Sequence, residues 1–120
     1  MQETACARLG DRAAMIIKGG GGEFERYPGK GVVCHGHGPN GSWSDAPAIL
    51  DDTRRLSEVT DNPAHLSGLW DGTWRHPFAT ATVLGTTALA LWTLGAAATL
   101  PEAEARAATH WSQRQPRRAA

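Results

Sequence analysis

At 120 residues the chain is one domain's worth of polypeptide, or a portion of a larger fold. Lys plus Arg is 12 and Asp plus Glu is 12, so the basic excess that opens the simplest argument for nucleic acid is missing. Apolar residues at 41% exclude a disordered chain, while 14 Gly and 7 Pro thin the core that so short a chain can bury.

Cys6 and Cys34 are too few for a disulfide framework. The opening MQETACARLGDR is polar where a secretory signal would need an apolar run. The expected setting is a reducing cytoplasm.

In chain order, Glu3 to Leu9 reads as the last turns of a helix stopped by Gly10. Ala13 to Ile17 is a short apolar run without alternation, the pattern of a strand covered on both faces. A helix turning directly into such a strand suggests the αβ half of a parallel-sheet unit. Lys18 and four glycines then break the run. Tyr27-Pro28-Gly29 is a turn, and Val32 to His35 is a second short strand. Asn40-Gly41 signals a hairpin returning through Ser42, Trp43 and Ser44, antiparallel and exposed on one face. Residues 45–60 carry no clear period and are expected as loop.

Three helices should follow. Asn62-Pro63 fits an N-cap with Pro at the first helical position, ending at Asp71-Gly72. Pro77 can open a long apolar helix that Gly95 closes. Thr99 and Glu102 have capping-box spacing for a last helix, with Ala103, Ala107 and Trp111 on one face and Glu102 paired to Arg106. Residues 113–120 read as a flexible basic tail to a domain spanning 1–112.

From Phe78 to Leu100 no residue is charged, which is long enough to cross a bilayer. Threonines at 80, 82, 86, 87 and 93 and glycines at 85 and 95 dilute its insertion energy. A helix apolar all round is also what a buried core helix looks like. The buried helix is the preferred reading, with a single membrane span through 78–100 as the alternative.

The sharpest chemical feature is the strand end followed by Lys18, Gly19, Gly20, Gly21, Gly22, Glu23, Phe24 and Glu25. Ligands of open α/β sheets bind at the carboxyl ends of strands. Bare glycine amides let an anion approach closely, and nearby carboxylates can hold a hard cation. A flexible loop with solvated carboxylates fits the same spacing equally well.

The stretch IIKGGGGEFERYPGK (16–30) resembles the strand and loop in the C-terminal half of anthranilate phosphoribosyltransferases, and more closely their anthranilate phosphoribosyltransferase-like relatives. LWDGTWRHPFATATVLGTTALALWTLGAA (69–97) resembles that branch's closing helices, in the same order. The resemblance covers nearly all of this chain but about the last third of a usual family member. It implies a C-terminal part of an α/β glycosyltransferase-family domain that handles phosphoribosyl pyrophosphate with magnesium.

By that resemblance Lys18 stands where anthranilate enzymes usually carry His, and Lys18 with Gly19–Gly22 would face phosphate. Glu23 matches the first residue of the acidic pair that binds magnesium, and Phe24 falls on the second. An aromatic ring cannot ligate magnesium, so Glu25 would have to substitute. The family's Gly-Thr-Gly-Gly-Asp pyrophosphate loop, its Lys-His-Gly-Asn-type segment and its helical dimerisation domain are not in these 120 residues. The expectation is therefore a fragment, catalytically incomplete alone, whose parent is a homodimer.

Cys34-His35-Gly36-His37 invites a zinc reading, but a strand would put the two histidines on one side and Cys34 on the other. Of five tryptophans, Trp70, Trp92 and Trp111 are expected as core or helix-packing residues, while Trp43 and Trp74 lie near turns and would be exposed if the rest of a larger domain is missing. Trp111 with Arg114, Arg117 and Arg118 forms a small basic-aromatic patch. Some relatives in the non-anthranilate branch are associated with nucleic acid, so a nucleic-acid-binding module is the alternative function.

Overall fold

The computed structural model describes residues 12–18, 25–50 and 63–114. A three-stranded sheet packs one face on a layer of helices. Its strands are β1 (Ala14–Ile17), β2 (Val32–Gly38) and β3 (Gly41–Ala46), in the order β1-β2-β3. The helices are α1 (Pro63–Asp71), α2 (Pro77–Leu94) and α3 (Leu100–Ser112).

The β2–β3 hairpin turns where the Asn-Gly pair predicts. Gly38 pairs with Gly41, and Gly41 adopts φ 97°, a left-handed conformation open to glycine. Along β2 burial alternates: Val32, Cys34 and Gly36 face the helices while Val33 and His35 face outward. A register shift lies between Val33 and Gly36. Opposite Trp43, Gly36 leaves room for the indole, whose nearest ring atom lies 2.4 Å from where a Cβ would stand.

Helix ends follow their local signals. Gly72 has φ 82° just past α1. His76 caps α2, its Nδ1 accepting the Ala79 N–H at 3.5 Å, and Gly95 closes the helix at φ 78°. The Gly95 and Ala96 amides donate to Trp92 and Leu91 carbonyls. At α3, Thr99 Oγ1 accepts the Glu102 N–H at 3.2 Å, and Glu102 returns a carboxylate oxygen to the Ala98 N–H at 3.1 Å. These bonds, first the Ala98 amide and then Arg106, hold the Glu102 carboxyl below its ordinary range.

α2 is long and apolar enough to cross a membrane, with a mean hydropathy of 1.3. In this fold it is the central helix. Ala88 and Leu89 share a core with Val32, Cys34 and Ala46 of the sheet and Leu100, Ala103 and Ala107 of α3. Its threonines do not strand hydroxyls there. Thr82, Thr86, Thr87 and Thr93 each donate to the carbonyl four residues earlier, at 2.7–3.0 Å. A second cluster of Leu69, Phe78 and Ala79 joins α1 to the start of α2.

Three expectations are corrected. The sheet is mixed with helices as an α/β fold requires, but β1 pairs with β2 antiparallel, not as part of a parallel unit. The loop between them returns the chain beside its own strand, whereas a parallel partner needs a crossover. β1 is half-buried along its length rather than covered on both faces, because it stands at a sheet edge; Met15 and Ile17 do pack against the core that includes α2. Residues 45–46 continue β3 instead of opening a loop. The helix expected at 3–9 lies outside the described residues.

Candidate functional site

β1 delivers Lys18 to the end of the sheet. The Lys18 N–H donates to the Val33 carbonyl at 2.9 Å, extending the ladder by one bond, and its side chain is exposed. Gly19, Gly20, Gly21, Gly22, Glu23 and Phe24 lie outside the described residues. Glu25 is half-buried where the description resumes.

Arg26, next in the chain, is the most tightly held residue of the region. Its side chain is 0% exposed, its backbone N–H donates to Thr86 Oγ1 at 2.9 Å, and its guanidinium donates to Glu104 Oε1 at 3.1 Å and to the Pro47 carbonyl at 2.8 Å. Buried charge is stable only when paired and hydrogen-bonded. Gly85 on α2 makes the passage possible, since a Cβ there would meet Arg26 Cδ at 3.1 Å and Ile49 Cδ1 at 2.6 Å. Arg26 Nε has no hydrogen-bond partner among the described residues. Sequence reasoning missed Arg26 and Glu104; the pairing spans 78 positions, and no local pattern signals it.

Beside this pair opens a cavity of about 570 Å³ between the α1–α2 turn and α3. Trp74, His76, Leu84, Gly85, Glu104 and Trp111 are among its walls, with Arg75 and Arg114 also lining it. Trp74 is half-buried and stacks on His65 at 4.4 Å and His76 at 5.3 Å between ring centres. Trp43 is likewise half-buried, stacked on Trp92 at 4.2 Å. Trp70 is the more open one, at 42% exposure.

Arg114 is drawn into the fold. Its guanidinium lies 3.9 Å from the Trp111 ring centre and donates to the carbonyls of Leu69, Trp70 and Trp111. It thereby ties α3 to the end of α1, a use that competes with phosphate contact. Residues 115–120, with Arg117 and Arg118, lie outside the description.

Cys34 is fully buried on the inner face and His35 points outward, the split that strand alternation requires. Burial pushes the Cys34 thiol above its ordinary range; Arg26 opposes this and Asp45 adds to it. Among the described residues no group of three or more His, Cys, Asp or Glu side chains converges on a metal position. Glu25 is a hard oxygen donor of the class magnesium takes, and the neighbouring Arg26 charge is answered by Glu104. Glu23 lies outside that test.

No family model matches the chain, and no curated protein matches it.

Proposed function

We propose that the chain binds a phosphosugar of the phosphoribosyl pyrophosphate class, as the closing part of a phosphoribosyltransferase-like α/β domain. The observation that carries this reading is the double anchorage of the glycine segment. On one side the Lys18 amide is tied to Val33, and on the other Arg26 is locked to Thr86, Pro47 and Glu104. Fixed ends lower the ordering cost of any ligand the intervening amides receive.

In this reading Lys18 meets anionic oxygen as a point charge, and the amides of Gly19 to Gly22 donate to it. Glu23 and Glu25 would hold magnesium, which supplies charge neutralisation for a diphosphate. Binding rather than turnover is the expected activity, because transfer also needs the groups that position and neutralise the leaving diphosphate.

Calorimetric titration with phosphoribosyl pyrophosphate, with and without magnesium, tests the proposal against single-stranded DNA. Glu23→Ala should weaken magnesium-dependent binding by about 1–3 kcal/mol for loss of a charged partner. Phe24→Glu, which adds a second carboxylate, should tighten it. If neither change alters phosphosugar binding, the loop is scaffolding.

A further inference from the structure

Among the described residues the sheet ends at β1 on one side, and that edge has an unusual composition for an open one. Ala14–Ile17 is apolar throughout, and every residue is only half-buried. Lys18 donates to Val33, and in an antiparallel ladder bonded and non-bonded pairs alternate. Ile16 and Ala14 therefore direct their main-chain groups to β2, while Met15 and Ile17 direct theirs to the open side. Open edges are ordinarily blunted by a charge, a proline or a bulge within the strand. β1 has none of these. Apolar side chains flank the edge on both faces, Met15 and Ile17 toward the core and Ala14 and Ile16 away from it.

Charge appears only at the two ends. Arg12 and Lys18 are both exposed, and the ion pairs among the described residues use neither. Six residue steps of extended chain separate them by about 20 Å.

We propose that the open edge of β1 accepts an added strand from another polypeptide, an extended segment apolar over about four residues with a carboxylate at each end. Met15 and Ile17 supply two N–H donors and two carbonyl acceptors, and Arg12 and Lys18 receive the carboxylates. A second copy of β1 is the poorer occupant, because antiparallel self-pairing sets Arg12 of one copy against Lys18 of the other. The opposite edge, Gly41–Ala46, carries glycine, two serines and Asp45 and lacks this pattern.

The test is fluorescence anisotropy of the 120-residue chain with a labelled peptide, Glu-Val-Ala-Val-Ala-Val-Glu. The expected result is saturable binding, weakened about tenfold when both Glu are replaced by Lys and lost when alternate amides along one edge are N-methylated. Arg12→Glu, a change at an exposed position, should weaken the acidic peptide and strengthen the Lys-ended one. Equal binding of the N-methylated peptide, or no binding at millimolar concentration, overturns the proposal. So does self-association of the chain, by sedimentation, that the peptide does not compete away. Phosphosugar titration is a separate readout, so either idea can fail alone.

Discussion

Asn40, in the hairpin turn, donates its side-chain amide to the Trp92 carbonyl at 2.9 Å, across 52 positions of sequence. The same nitrogen donates to the Ala97 carbonyl at 2.7 Å. One side chain thus gives the Trp92 carbonyl, which already accepts the Gly95 N–H, a second donor, and joins the sheet to the α2–α3 connection. Asn40→Ala should lower stability by about 1–3 kcal/mol, because both carbonyls lose a partner. Asn40→Asp should cost more, since it sets a carboxylate against two carbonyl oxygens. Urea unfolding followed by tryptophan fluorescence measures both.

The Arg26–Glu104 pair makes a second prediction. Glu104→Leu leaves the buried guanidinium with the Pro47 carbonyl alone and should cost about 2–3 kcal/mol. That is less than for a wholly buried pair, because the Glu104 side chain is 39% exposed. Adding Arg26→Met to Glu104→Leu should recover most of the loss. A double-mutant cycle by chemical denaturation reads the coupling; an additive result would mean that the pair contributes nothing of its own.

Gly36→Ala should destabilise by about 1–3 kcal/mol, since the added methyl enters the space of the Trp43 ring. Combining it with Trp43→Leu should remove most of that penalty and leave only the cost of the shortened side chain. Near-ultraviolet circular dichroism would also report loss of the Trp43–Trp92 stack.

Cys34 supplies a pH dependence. A thiol whose folded pKa is raised stabilises the protein fully below its unfolded pKa, and the contribution is lost as pH rises through the folded value. Stability should therefore fall on the alkaline side of the ordinary thiol range, and Cys34→Ala should flatten that fall. In a Cys6→Ser background, disulfide reagents should label Cys34 slowly at neutral pH and rapidly in urea.

Much of the fold was legible because its signals are local. Pro77 at the start of α2, Gly95 at its end, and the Thr99–Glu102 box act within a few residues of chain, so the sequence displays them directly; the His76 cap carried no such signal. β1 was recognised as a strand, but its direction relative to β2 was not, since an apolar run is compatible with either pairing. Arg26 was invisible for a different reason. Its burial depends on Gly85 lacking a side chain and on Glu104 arriving from α3. The stacking of Trp74 was not legible because its neighbours His65 and His76 meet only once α1 folds back on the start of α2.

The bonds from Asn40 to α2 also govern how the protein ages. Asn followed by Gly is the dipeptide most prone to deamidation, because the unhindered glycine amide attacks the side-chain carbonyl to close a succinimide ring. In the folded chain the Asn40 amide nitrogen is restrained by two carbonyls, which opposes the rotation that ring closure demands. Reaction must then wait for the hairpin to lift from the helix. Each event leaves Asp or isoaspartate facing those carbonyls, so a molecule that has opened once and reacted is easier to open again. The chemical clock at Asn40 is set by how much of the time that local opening is populated.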